Sequence, residues 1–544
     1  MDGSEVAKPP RMPAKRAPGQ IGVVTSVSGF KLSCLVFGPS TPDGADAAYA
    51  TAQIGALVKV PTLSSTAFGF IASLNFEYAG TDVQIAVAEI DLLGELTGRA
   101  GDAAARFTRG ISIYPVLGAP VFTATAEDIK LIYAKPNSWT LQIGSLHQDA
   151  DTPAYLMSQE FLAKHSAIVG TTGSGKSCAL TLILRTLLTA HPNGHVVMLD
   201  PHGEYATAFD DIAELITPDT LQLPYWLLSF EEIVEVLCSS DPVARSREAP
   251  ILKEVIVAAK QDFLGAGANV AALTVDTPTP YRLTSVLQRI SDAMGKLDRP
   301  DSSLPYLRLM TTMENLRKDP RYDFMFEGLT VRDNMTEIIS LLLRIPVSGK
   351  PITILDISAV PSEIVNVVVS VLARLIFDFA LHSDREEAIP ILLVCDEAHR
   401  YIPRDESQSF EPTRRSISRI AKEGRKYGVS LCLVTQRPAE LSEAILSQCS
   451  TIFALRMNNE RDQKFVRSML PDDAAGLLNV LPTLRQREAI VVGEGVAHPM
   501  RIRFSELAPN HRPKGEAANF PEAWQKDVKG RDFIGKIVER WRHQ

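Results

Sequence analysis

Hydrophobic positions divide the 544-residue chain into stretches of different period. From 20 to 122, short β-branched runs such as IGVVTSV, KLSCLVFG, GALVKVP and DVQIAVAEIDLLGEL alternate with Gly, Pro and Asp. Runs of this length and spacing predict short strands closing a small β-barrel or sandwich. After a connecting stretch at 123–165 the rhythm becomes strand, loop, helix. AIVG at 167–170 reads as a buried strand, 177–190 as an apolar helix and VVMLD at 196–200 as the next strand. That alternation is the βαβ signature of a parallel sheet covered by helices. Between about 205 and 345 the period lengthens. FEEIVEVL, PILKEVIVAAKQDFL and TSVLQRISDAMGKL carry helical spacing and predict a helical insertion. The αβ rhythm resumes with TILDIS at 353–358, a helix at 361–381, ILLVCDE at 391–397, VSLCLVTQ at 429–436, TIFALR at 451–456 and EAIVVGE at 488–494. The predicted class is therefore α/β, with a core at 166–504 that contains the insertion. A polar tail at 505–544 follows. It ends in a short amphipathic helix whose Phe533, Ile534, Ile537, Val538 and Trp541 share one face. So short a helix needs a surface to pack on, either its own domain or a neighbouring subunit.

The segment most like a membrane span is IVNVVVSVLARLIFDFAL at 364–381. Asn366, Ser370, Arg374 and Asp378 recur there at every fourth residue, which draws a polar stripe along a helix of a protein core. No apolar leader opens the sequence, so a cytoplasmic protein without a membrane partner is expected. Residues 1–19 are Pro-rich and mildly basic (Lys8, Arg11, Lys15, Arg16) and read as a disordered tail. The formal net charge of −8 gives no global basic surface. An acidic exterior can still enclose a basic channel, so charge alone does not decide for or against nucleic acid. The six cysteines form no CxxC pair and read as reduced, mostly buried thiols.

Chemistry enters with GTTGSGKS at 170–177, a complete G-x-x-x-x-G-K-[ST] placed after a strand and before a helix. Gly170, Gly173 and Gly175 let backbone N–H groups turn inward around phosphate oxygens, with Thr171, Thr172, Ser174 and Cys178 completing the cradle. Lys176 supplies positive charge for the β- and γ-phosphates. The Ser177 hydroxyl is a hard oxygen ligand suited to Mg²⁺, and the helix N-terminus adds anion stabilisation. ATP and Mg²⁺ are the expected cofactors. ILLVCDEAHRYIP at 391–403 is an apolar strand ending in adjacent carboxylates. Asp396 is placed to hold the Mg²⁺ shell, and Glu397 to orient or deprotonate an attacking water. In DPHGEY at 200–205, Asp200, His202 and Glu204 follow a strand end, where open α/β sheets place ligands. Turn chemistry favours the same residues. Gln436, in VSLCLVTQRP, could hydrogen-bond the γ-phosphate or the water, or simply cap its strand. The basic run RRSISRIAKEGRKYG at 414–428 admits three readings. It is a solvated helix face, a stripe for nucleic-acid phosphates, or the source of an arginine finger for an adjoining subunit, with Arg419 and Arg425 as candidates. Arg456 is a further candidate.

Taken together, GTTGSGKS, DPHGEY, LLVCDEAH, RIAKEGRKYG and TQRP resemble the HerA family, in the FtsK–HerA branch of P-loop ATPases. GQIGVVTSVSGFKLSCLVFG through GFIASL is similar to the family's N-terminal β-barrel. PYWLLSFEE and LDISAVPSEI are similar to its insert and core segments. The resemblance implies a RecA-like ATPase core in a homo-hexameric ring around double-stranded DNA, with ATP at subunit junctions. Lys176, Ser177, Asp396 and Glu397 would form the site, Gln436 would sense the γ-phosphate, and an arginine of 414–428 would complete the neighbour's site. The C-terminal helix would brace a neighbouring subunit. The resemblance also implies an effector, a NurA-like nuclease in DNA-end processing or a Sir2-like or other enzyme in anti-phage defence, docked on the barrel. The alternative is a ring scaffold that organises such an effector, with ATP as regulator.

Overall fold

The computed structural model describes residues 17–37, 52–78, 84–98, 105–265, 272–295, 300–326, 331–360, 362–408, 410–469, 475–514, 524–525 and 530–542. The tail read at 1–19 lies almost wholly outside them. Strands β1 (Gln20–Ser28), β2 (Lys31–Val36), β3 (Leu57–Pro61), β4 (Ser65–Tyr78), β5 (Gln84–Thr97), β6 (Arg106–Arg109) and β7 (Pro120–Thr123) form one antiparallel sheet. Its order is β2-β1-β7-β3-β4-β5-β6, and β2 also pairs with β5, so six strands close a barrel and β6 extends its rim. Closure removes the free edges that an open sheet would expose. Inward residues such as Ile21, Val58, Ile71, Ile90 and Val121 fill the barrel. The opposite face of β4 and β5 is buried as well. Phe68, Phe70, Leu93 and Leu96 belong to the same core as the large domain.

The large sheet has eleven strands: β12 (Ala213–Ile216), β13 (Ile352–Asp356), β11 (His195–Asp200), β14 (Ile391–Cys395), β15 (Val429–Thr435), β10 (His165–Val169), β16 (Cys449–Ala454), β17 (Glu488–Gly493), β18 (Met500–Phe504), β8 (Thr140–Leu146) and β9 (Pro153–Met157), in that spatial order. From β12 to β16 every pairing is parallel; from β16 to β9 every pairing is antiparallel. The parallel strands are buried on both faces, which accounts for their unbroken apolar runs. The stretch at 123–165, read from sequence as a linker and the start of the motor, supplies β8 and β9, the outer edge of this sheet. Its Pro, Asp and Gly punctuation hides strands whose partner, β18, lies some hundreds of residues downstream. The segment at 205–345 likewise opens with β12 before its helices begin.

Those helices include α1 (Phe230–Leu237), α2 (Pro242–Leu264), α3 (Leu283–Met294) and α4 (Pro300–Lys318). A Ser229/Glu232 capping box starts α1. Glu232 also receives Arg374 Nη2 at 2.9 Å and Ser370 Oγ at 2.7 Å from α5 (Ser362–His382). The polar stripe of α5 thus clamps the insertion to the core. By length and composition this helix could cross a membrane, but 72% of its apolar window is buried inside the fold. Helix α6 (Glu411–Glu423) packs beside α5, with Thr413 Oγ1 donating to the Asn366 carbonyl.

Candidate functional site

All parallel strands end on one side of the sheet, and the predicted motifs sit there. The loop after β10 turns at Gly173 (φ +73°) and Gly175 (φ +100°), left-handed conformations that glycine adopts without penalty. At Gly170 a Cβ would come within 2.8 Å of both Leu455 and Ser174. Thr171 is pinned from outside the loop: its N–H and hydroxyl donate to the Arg456 carbonyl at 2.9 and 3.0 Å. Arg456 therefore contributes its backbone here. The Thr172 hydroxyl donates to Gln436 Oε1, joining the loop to the end of β15. Helix α7 (Lys176–Ala190) continues the loop and precedes α1 in the chain.

The second half of the site converges on this loop. Ser177 Oγ donates to Glu204 Oε2 at 3.0 Å, and Lys176 Nζ rests on the Thr171 carbonyl at 3.3 Å. Asp200, fully buried, accepts the backbone N–H groups of His202, Glu204 and Tyr205 at 3.0–3.2 Å. It builds the turn that presents Glu204, so Asp200 is structural. The Tyr205 hydroxyl donates to Asp396 Oδ2 at 3.2 Å. Asp396 Oδ1 accepts the Glu397 N–H at 2.9 Å. Glu397 is held at φ +48°, a strained setting for a non-glycine residue and one that concentrates at functional sites. Its Oε2 is buried without a hydrogen bond and lies 3.3 Å from His399 Nδ1, which also contacts Thr435 Oγ1 at 3.1 Å.

Burial controls the charges. It pushes the Asp396 carboxyl up to about 7, helped by the neighbouring Glu397 carboxylate. Burial lowers the Lys176 ammonium, while Glu397, Asp396 and Glu204 pull it back up. Burial also depresses His399, against the attraction of Glu397. Such a pocket carries closely spaced acids facing one buried lysine, beside a glycine-bent loop that runs into a helix N-terminus. It fits a phosphate chain with a divalent cation: the loop takes the anion, and Ser177 and Asp396 offer oxygen ligands.

The basic segment behaves differently. Arg414 pairs with Glu406 and Glu411, and Arg415 with Glu231 and Glu411. Arg419 lies 3.5 Å from Asp378 and stacks 4.3 Å over the Phe377 ring. Arg425 is exposed and has no hydrogen bond or ion pair among the described residues. Neither Arg419 nor Arg425 reaches the Lys176 cluster of its own chain. Tyr205 and His399 were not among the predicted site residues, although both stand inside motifs that were singled out, next to Glu204 and two residues after Glu397.

Residues 141–376 match the family model "Helicase HerA, central domain". A probable helicase of Methanocaldococcus jannaschii is 26% identical over 451 residues, spanning 81% of this chain and 80% of that protein. The DNA double-strand break repair helicase HerA of Pyrococcus furiosus is 26% identical over 448 residues, 75% of this chain and 78% of its own. Among solved structures, VirB4 of Thermoanaerobacter pseudethanolicus is 14% identical with a TM-score of 0.45, covering 69% of this chain and 99% of that one. Plasmid coupling protein TrwB in complex with ADP and Mg²⁺ is 13% identical with a TM-score of 0.47, covering 72% and 94%.

Proposed function

We propose that this chain, which belongs to the HerA family of P-loop ATPases, is an ATP-driven motor that moves along double-stranded DNA as a hexameric ring. The observation that supports this most is the meeting of Lys176, Ser177, Glu204, Asp396 and Glu397 at the ends of neighbouring parallel strands. In this reading the loop from Gly170 to Cys178 grips the phosphates of ATP, and Lys176 balances their charge. Ser177 and Asp396 would hold Mg²⁺, which when bound would neutralise charge on the phosphate oxygens. Glu397 accepts a proton from the attacking water, with His399 steadying its free oxygen. Glu204 keeps the Ser177 hydroxyl oriented. Gln436 reports the state of the terminal phosphate to β15 and to Thr172.

The hexamer is supported by two features that a single chain leaves unfinished. Arg425 is exposed with no ion pair among the described residues, and we take it to enter the site of an adjoining subunit. Helix α8 (Arg531–Arg542) exposes Phe533, Ile534 and Trp541, the last at 76%, so its apolar face awaits a second surface. ATP hydrolysis by the purified chain, with and without linear duplex DNA, tests the motor reading. A DNA-stimulated rate that Glu397→Gln removes, in a ring-sized particle, is expected; a rate indifferent to DNA would overturn it.

One observation favours a second role, the docking of an effector enzyme such as a NurA-like nuclease or a Sir2-like defence enzyme. The barrel exposes Leu63 (92%), Val116 (63%) and Leu117 (69%), with Tyr114 half-exposed beside them. The buried Glu95 carboxylate accepts hydrogen bonds from Ser112 and Ile113 and from the Ser65 hydroxyl at 3.0 Å, which ties the segment before Tyr114 to the turn that carries Leu63. Because Phe68 and Phe70 share the motor's core, deleting the barrel would damage the ATPase. Leu117→Asp is the cleaner test. It should abolish co-purification with the effector and leave ATP hydrolysis within about twofold of wild type, as surface changes usually do.

A further inference from the structure

Three charged groups outside every motif stand beside the phosphate loop. Arg487, just before β17, takes a left-handed backbone (φ +66°) although it is not glycine. Its backbone nitrogen is 3.9 Å from where a Cβ on Gly175 would lie. Its guanidinium donates to the Phe504 carbonyl at 3.0 Å and faces Glu506 Oε2 at 3.4 Å, while its Nε is buried without a partner. The other oxygen of Glu506 receives Arg512 Nη2 at 3.0 Å. One carboxylate therefore bridges two guanidinium groups, the arrangement that two arginines make around a phosphate. The segment is fastened to the site, since the Lys514 N–H donates to the Glu204 carbonyl at 3.0 Å. Both arginines also act electrostatically on Cys178, in the first turn of α7.

A groove of about 560 Å³ continues from this point. Its floor is the face of α7 carrying Leu182, Arg185 and Thr186, which follow Cys178 at helical spacing; Glu506, Leu507 and His511 form the opposite wall. That volume suits a nucleoside. Glu506 itself is 65% exposed on its side chain, so it is held by the two arginines and not by packing.

We propose that Glu506 is a placeholder: it holds Arg487 and Arg512, and a nucleotide with its nucleoside in the groove displaces it to bring its inner phosphate between them. The inference rests on the ATP-site reading and adds to it two cis arginines and a resident competitor. Binding must break the Glu506 pairs before the arginines can serve the phosphate. Glu506 thus weakens nucleotide affinity, and the α-phosphate end is governed by residues from the antiparallel half of the sheet.

The test is titration of the full chain with a fluorescent ADP analogue. Glu506→Gln should bind about three- to tenfold more tightly, and Arg512→Ala about tenfold more weakly, the worth of one charge-assisted contact. In the Arg512→Ala background the gain from Glu506→Gln should shrink, because half of the competition is gone. All three variants alter exposed side chains, and unchanged melting temperatures confirm that folding is intact. If Glu506→Gln binds as wild type or more weakly while Lys176→Ala abolishes binding, the placeholder is refuted and the ATP site stands. If Lys176→Ala binds normally, the ATP site itself is refuted.

Discussion

The floor and the mouth of the nucleotide cleft come from opposite halves of one sheet. The floor groups follow parallel strands: the loop after β10, Glu204 after β11, Asp396 and Glu397 after β14, and Gln436 after β15. Lys176, Asp396 and Glu397 among them are buried, and several acids crowd around the one lysine; burial lowers Lys176 against the pull of these acids and raises Asp396 along with its acidic neighbours. The mouth groups flank antiparallel strands, Arg487 before β17 and Glu506 and Arg512 after β18, and keep much of their surface in water. Buried charges are costly to hold and act strongly on whatever enters. Exposed charges are screened and exchange partners readily. From the difference we infer a division of labour to be tested: the floor would govern the chemical step, and the mouth would govern how tightly nucleotide is held.

The largest effect expected is on the floor. Glu397→Gln keeps the size of the side chain and removes its basicity, so kcat should fall about 10²- to 10⁴-fold while nucleotide still binds. Single-turnover hydrolysis measured beside equilibrium binding checks both halves of that statement. A variant that hydrolyses at near wild-type rate would place the base elsewhere and dissolve the contrast between floor and mouth.

A smaller effect separates the two candidate arginines, which belong to neither floor nor mouth of their own chain. Arg419 is already committed to Asp378 and Phe377, whereas Arg425 is free. Arg425→Ala should lower hydrolysis by roughly a hundredfold or more, as loss of a finger does. Arg419→Ala should leave the rate within a few-fold and reduce stability by about 1 kcal/mol, the scale of an exposed ion pair with a cation–π contact. Mixing Lys176→Ala chains with Arg425→Ala chains should restore part of the activity, because some junctions would then combine an intact lysine with an intact arginine. Failure of the mixture to recover any activity would remove the trans role.

How far these regions could be read from sequence follows from how their residues are spaced. Gly170–Ser177 and Asp396–Glu397 are contiguous, and each announces itself by an apolar strand running into a short set of unusual residues. Glu204 was visible only as one of three polar residues on a turn; its bond to Ser177 singles it out, and Asp200 proves to be the scaffold. Arg487, Glu506 and Arg512 had no local pattern at all. They meet because β17 and β18 pair with each other and, through β16, lie against β10, which brings residues more than 300 positions apart to one loop. The same long-range pairing hid the strands β8 and β9 within the stretch read as a linker and the start of the motor. Within 414–428, sequence set Arg419 and Arg425 on equal terms. Only the positions of Asp378 and Phe377 on the packed helix α5 distinguish them.

The smallest predicted effect is the sharpest test of the division. Tyr205 is fully buried, and its hydroxyl donates to Asp396 while its ring packs in the core. Tyr205→Phe keeps the ring and removes one hydrogen bond to a carboxylate, worth about 1.5–3 kcal/mol at most when charged. The Asp396 side chain would keep its place through the Glu397 N–H but lose its orientation on one oxygen. If the floor governs chemistry, kcat should drop by roughly three- to tenfold with little change in the affinity for ADP. Glu506→Gln should do the reverse, moving affinity and leaving the single-turnover rate alone. Pre-steady-state hydrolysis and nucleotide titration on the two variants therefore form a crossed pair. Should Tyr205→Phe change only affinity, or Glu506→Gln only the chemical rate, floor and mouth would have to be treated as one coupled site. The placement of Arg487 against the phosphate loop would then be the physical route of that coupling.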